Sequence, residues 1–264
     1  MEITFTLPNK KEVLVNEILY KDLRKIALYS DTSVTGTVNF LESFILTKDL
    51  NVIDKLFTFF LLREKCIGEE ITVGSSKGNV NVDLNLLRTN IGTFDEIHEV
   101  IDVGDIQCVL DYPSRFNLGS SDFIFSLIKS VKIDDMKIAM ALLSEEEYSK
   151  IISKLPEAIF EHLENFVQKN RSHFKMIAFE ERENLEMDEI ELNMLDPTLP
   201  SFIARIFDCV TATNYREMLF VLSRRIPDVS FLINCTYLEI EDFYKLYADE
   251  VEKQNENLQK QNAS

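Results

Sequence analysis

The sequence predicts an α+β fold, with several β-hairpins packed on a helical core and a helical module at the C-terminal end. Three observations predict it. Residues 51–66 carry Val52, Ile53, Leu56, Phe57, Phe59, Phe60, Leu61 and Leu62, too apolar a set for one wet face, so the spacing predicts a helix buried on most of its circumference. Behind it, Glu70-Ile71-Thr72-Val73 and Asn79-Val80-Asn81-Val82-Asp83 flank Gly74-Ser75-Ser76-Lys77-Gly78, two β-rich runs around a turn composition. From Leu199 onward the chain reads as helical. These features divide it into an α+β domain over residues 1–198 and a helical extension over 199–264.

In chain order, residues 2–7 and 12–15 alternate around Pro8-Asn9-Lys10-Lys11 and form an opening hairpin. Leu19, Leu23, Ile26 and Ala27 recur at helical spacing over about 17–29. After the polar break at 30–33, Val38, Leu41, Phe44 and Ile45 mark a second helical stripe, and the buried helix is the third. Gly68 supplies the left-handed residue on which such a helix stops.

Residues 96–103 and 106–111 read as two strands around Gly104-Asp105, closed by Tyr112-Pro113-Ser114, since proline cannot continue a ladder. Gly119-Ser120-Ser121-Asp122 predicts a helix start ahead of Phe123, Leu127 and Ile128. Val131-Lys132-Ile133 fits strand and loop equally. Ser144 with Glu147 spells a capping box for a short helix ending near Leu155. Pro156 suits the first turn of the next helix, with Ile159, Phe160, Leu163 and Val167 turned inward.

A third hairpin is predicted from 174–179 and 189–192 around the acidic segment 180–188. Helices over 200–211 and 214–226 follow, stopped by Pro227, and a last one carries Phe243, Leu246, Tyr247 and Val251. Apolar content falls at Lys253-Gln254-Asn255-Glu256-Asn257, so the end is expected to fray or to await a partner.

Composition narrows the function. With 28 basic and 45 acidic side chains, the net charge is 28 − 45 = −17. No basic cluster beyond Arg224-Arg225 stands out against this charge, so direct nucleic-acid binding is not expected. No run reaches the roughly 18 apolar residues of a membrane helix, and the alternating Met1-Glu2-Ile3-Thr4-Phe5 is no signal peptide. Cys66, Cys108, Cys209 and Cys235 are far apart and read as free thiols, mostly in the core.

A search for chemistry returns no catalytic, cofactor-binding or metal-binding residue, and neither a cofactor nor a small-molecule ligand is expected. Gly74-Ser75-Ser76-Lys77-Gly78 lacks the phosphate-loop spacing and is a hairpin tip. His98, His162 and His173 are too scattered for a metal site or a triad. Cys66 and Cys235 are small buried hydrophobes rather than nucleophiles. The acidic run 180–189 lacks the glycine and spacing of a calcium loop, and Glu145-Glu146-Glu147 suits a helix N-terminus. Of the aromatic residues, Tyr237, Phe243, Tyr244 and Tyr247 are candidates for an interface.

The order of these features resembles the baseplate hub subunit and hub-assembly proteins of T-even-type contractile-tailed phages, over about residues 1–200. The resemblance lies in an apolar helix ending in the elbow Arg63-Glu64-Lys65-Cys66-Ile67-Gly68-Glu69, a hairpin leaving through Val80-Asn81-Val82-Asp83-Leu84, and a strand ending in Tyr112-Pro113-Ser114. A late Glu189-Ile190-Glu191-Leu192 followed by Phe202 resembles that family's closing strand and aromatic end. Some relatives carry paired cysteines in the hairpins that suggest zinc; the tip at 74–78 has none, so zinc is not carried over.

The resemblance implies a non-enzymatic viral protein, either a part of the tail hub or an assembly chaperone. Its partners would be other phage tail and baseplate hub proteins, in the host cytoplasm during assembly and in the virion. The alternative is an acidic decoy that blocks a basic nucleic-acid-binding protein, which requires carboxylates spaced like phosphates on one face.

Overall fold

The computed structural model describes residues 1–30, 32–75, 78–83, 99–119, 121–134, 136–171, 177–180, 187–190, 195, 197–209 and 211–262. They form an α+β fold that combines small antiparallel sheets with a set of helices. Strands β1 (Glu2–Thr6) and β2 (Glu12–Asn16) form the opening hairpin. Lys10 takes the left-handed turn position (φ 66°), and the Asn9 side chain accepts the Lys11 N–H. Helix α1 (Tyr20–Ser30) starts three residues later than its apolar spacing suggests, because the Asp22 carboxylate reaches back to the Leu19 N–H and fixes the first turn there. Helix α2 (Val34–Glu42) is capped by Ser33.

Helix α3 (Val52–Cys66) is the centre of the core. Leu56, Phe57, Phe59, Phe60 and Leu62 are all buried, so it is covered on nearly its whole circumference, as its composition requires. Asn51 caps it by accepting from the Ile53 and Asp54 N–H groups. Its exit uses Gly68 at φ 123°, a backbone open to glycine alone among ordinary residues. Strands β3 (Glu70–Ser75) and β4 (Gly78–Asp83) then pair with Ser75 opposite Gly78.

Among the described residues the largest sheet is a four-stranded antiparallel meander of β5 (Glu99–Val103), β6 (Ile106–Leu110), β7 (Ile128–Ile133) and β8 (Met136–Ala139). The helix expected after Gly119 is a single 3-10 segment, Ser121–Leu127. It stops early because Ile128 is already paired with Leu110. The ambiguity at 131–133 thus resolves to strand, with Val131 buried opposite Cys108.

Helix α4 (Glu145–Ile152) opens on the expected capping box: Ser144 Oγ and the Ser144 N–H both donate to Glu147 Oε2, and the Glu147 N–H donates back to Ser144 Oγ. Ser144→Ala is expected to cost about 1 kcal/mol in urea unfolding; an unchanged midpoint would show that this cap is not used. On α5 (Glu157–Arg171) the buried stripe is Ile159, Leu163 and Phe166. Phe160, expected inward, is 37% exposed and lies edge-on to Phe125 at 5.0 Å, one position round the helix from the core.

Strands β9 (Ile177–Glu180) and β10 (Met187–Ile190) form the late hairpin. The acidic run therefore contributes paired strand residues at Glu180 and 187–189. Its middle, 181–186, lies outside the described residues, as do His98 and His173.

Helices α6 (Thr198–Ile206), α7 (Ala212–Ser223), α8 (Val229–Ile233) and α9 (Tyr237–Asn262) complete the chain. They join the same hydrophobic cluster as α3. Phe202 meets Phe60 edge-on at 6.5 Å, and Phe207 meets Phe59 at 6.1 Å. Tyr215 stacks on Tyr20 at 4.5 Å, and the Tyr20 hydroxyl donates to the Tyr215 carbonyl. Helix α9 is continuous through 253–257 to Asn262. Thr236 and Glu239 form a second capping box at its start, and Gln254 bonded to Glu250 at 3.0 Å supports the later turns.

Candidate interaction surface

Two of the motifs that carry the family resemblance, the elbow at 63–69 and Pro113-Ser114, meet the C-terminal and N-terminal ends of α3. At its N-terminus, the Val52 N–H donates to the Pro113 carbonyl at 2.9 Å. The Lys55 ammonium bridges Glu42 and the Ser114 carbonyl, each at 2.6 Å. Asp54, only 3% exposed, accepts from Lys11 Nζ and Asn9 Nδ2, both at 2.9 Å. This carboxylate is compensated by a cation, an amide and the helix N-terminus together.

At the C-terminal end, Arg63 is 5% exposed and meets three carbonyls, from α6, from β3 and from the loop between α3 and β3. Nε donates to Ile206 O at 2.7 Å, Nη2 to Glu70 O at 2.8 Å, and Nη1 to Gly68 O. The rigid fork of a guanidinium reaches all three at once. The Ile206 carbonyl belongs to the end of α6, where unpaired carbonyls carry partial negative charge. Burial lowers the Arg63 pKa, while Cys209, Tyr237 and Glu241 oppose that shift. Arg63 and Phe202 are therefore structural joints that hold α6 against α3.

The four thiols are free. Burial pushes Cys66, Cys108 and Cys209 up to about 11 from the ordinary 9.0, and raises Cys235 too. A thiol raised in this way is protonated at neutral pH and a poor nucleophile. Its contribution to stability is whole below the unfolded value near 9 and is lost as pH climbs towards 11. Two results are expected: slow iodoacetamide labelling at pH 8 until denaturant is added, and a falling urea midpoint between pH 9 and 11. Rapid labelling of the folded protein would contradict this burial.

The histidine reading concerns one described residue, His162, which is exposed on α5. Among the described residues, no group of three or more His, Cys, Asp or Glu side chains is placed to hold a metal. No described helix is long and apolar enough to cross a membrane.

The surface of α7, α8 and α9 carries exposed aromatic groups. Phe220 is 61% exposed with the Arg224 guanidinium 4.6 Å from its ring centroid. Phe231 is 48% exposed and lies 6.0 Å from the half-buried Phe243. Arg225 sits over Tyr247 at 5.6 Å and pairs with Glu250 at 3.2 Å. Of the four aromatic residues named from sequence, Tyr244 is exposed, whereas Tyr237, Phe243 and Tyr247 are half-buried. Phe220 and Phe231 escaped that reading; the signal for them was an aromatic residue outside the buried stripe of its helix. Aromatic groups beside arginine are the composition enriched where proteins meet.

The chain is thus an α+β protein whose C-terminal helices carry exposed aromatic groups. The family model described as T4 bacteriophage base plate protein matches residues 1–178, about two thirds of the chain. The chain belongs to that family and is a phage baseplate protein. No curated protein and no solved structure matches it.

Proposed function

We propose that the protein is a component of the baseplate hub or a factor in its assembly, working by holding partner subunits rather than by catalysis. The observation that carries this reading is the family match over residues 1–178. The hub is favoured by the elbow, the hairpin exit and the Tyr-Pro-Ser strand end through which the sequence resembles hub proteins. Residues 1–198 act as the hub-like domain, and 199–264 act as a helical extension that selects the partner through its exposed aromatic face.

The partners are other tail and baseplate hub proteins, met in the host cytoplasm and carried into the virion. A net charge of −17 speaks against direct nucleic-acid contact and steers encounter with basic patches on those partners. No observation favours the decoy alternative.

The test is affinity capture of the tagged protein from producing cells at low and moderate salt, read by mass spectrometry. Tail-hub proteins retained at both salts are expected. Recovery instead of one basic nucleic-acid-binding protein, lost as salt rises, would overturn the reading. Presence or absence in purified virions then separates a structural part from a chaperone.

A further inference from the structure

We propose that the outer face of α1 is a second docking surface, which takes a carboxylate-rich, partly apolar segment of a partner protein. Lys21, Arg24, Lys25 and Leu28 recur at helical spacing, so they share one face of the helix, and all four are exposed. The face changes character along its length. Its first half is cationic: three basic side chains against Asp22 give the helix a charge of 3 − 1 = +2, on a chain of net charge −17. Its second half is apolar, with Leu28 51% and Tyr29 41% exposed. Tyr29 lies 5.8 Å from Phe40 of α2, which extends the apolar end onto the next helix.

The cations sit where the chain by itself gains least from them. Lys21 is the second residue of α1, at the positive end of the helix macrodipole. Lys21 is a like-charge neighbour of Arg24 and of Lys25 at three and four residues, an arrangement that costs helix stability. Among the described residues none of the three makes an ion pair, whereas Lys11 and Lys55 both do. Lys21 Nζ donates to Asn234 Oδ1 at 2.7 Å, and Lys25 Nζ lies 5.4 Å from the Phe40 ring centroid. Asp22, the one carboxylate of the helix, is turned back to the Leu19 N–H. The positive charge is left uncompensated within the chain, and carboxylates of a partner are its complement. Leu28 and Tyr29 favour protein over nucleic acid: apolar side chains of a peptide can cover them, while a phosphate backbone is repelled by the acidic remainder of the chain.

The test is fluorescence anisotropy of a labelled amphipathic peptide of glutamate, alanine and leucine, titrated with the purified full chain. Saturable binding below about 1 mM is expected, weakening several-fold between about 50 and 200 mM salt. The same peptide with glutamine for glutamate should not bind. Arg24→Glu with Lys25→Glu should weaken binding at least about tenfold, and because it relieves like-charge repulsion its urea midpoint should be unchanged or higher. The matched control, Lys132→Glu with Lys137→Glu on exposed positions of the four-stranded sheet, should bind as the wild type does. Four results would each overturn the proposal: no saturable binding, equal binding of the glutamine peptide, equal loss in the control, or tighter binding of a single-stranded oligonucleotide than of the peptide. A concentration-dependent dimer of the chain alone that is lost in the Arg24/Lys25 variant would overturn it too, by giving the face to a second copy. Phe220→Ser with Phe231→Ser should leave peptide binding unchanged, so this surface and the aromatic face stand or fall separately.

Discussion

Arg63→Ala is expected to be the most damaging single polar substitution in the chain. It removes the donors to Ile206 O, Gly68 O and Glu70 O together, in a site too buried for water to replace them freely. Hydrogen bonds to a charged group contribute roughly 1.5–3 kcal/mol each, and stranded buried carbonyls add a desolvation penalty. A loss on the order of 4 kcal/mol follows, which for a chain of this length lowers Tm by roughly 10 °C. Arg63→Lys should recover only part, since an ammonium is a point donor that cannot span three carbonyls. Urea and thermal unfolding would read both, and amide exchange in α6 should quicken in the alanine variant. A loss below about 1 kcal/mol would mean that α6 is held without this clamp.

Phe59→Ala should cost about as much by a different route. Phe59 is fully buried, stacked near Phe116 and edge-on to Phe207, each at 6.1 Å. It therefore ties the segment after β6 to the segment after α6 through α3. Truncating a buried phenylalanine costs about 3–5 kcal/mol, from lost transfer energy plus the unfilled cavity. Phe59→Leu, which refills most of the volume, should cost clearly less. The matched control is Phe220→Ala at an exposed position, expected within about 0.5 kcal/mol of wild type. Equal losses at 59 and 220 in urea unfolding would contradict the assignment of core and face.

What could be read from sequence was what local chemistry decides. The run at 52–62 is apolar all round, so its burial followed without knowing its neighbours. Ser144 and Glu147 settle a helix start between themselves. The hairpin at 70–83 is written in its own turn composition. What could not be read depends on distant residues. Arg63 looks like an ordinary charged residue near a helix end, and its burial is set by a carbonyl 143 positions away. Strand β8 (Met136–Ala139) lacks a clear alternation and exists because β7 offers it an edge through the turn at Asp134 (φ 53°). Phe160 and Phe220 each sit one position off a buried stripe, a difference that periodicity alone does not resolve. The interface candidates were half legible for the same reason: sequence marks aromatic residues, whereas the placement of α7 and α8 against α9 decides which of them stay uncovered.

The proposed role has this phage baseplate protein present the aromatic face of its C-terminal helices to hub partners. The most direct measurement compares affinity capture from producing cells by the wild-type chain and by a variant carrying Phe220→Ser and Phe231→Ser. Both residues are exposed, so the variant should fold with an almost unchanged urea midpoint. The wild type is expected to retain tail-hub proteins and the variant to lose most of them. Equal recovery of the same proteins by both chains would contradict it.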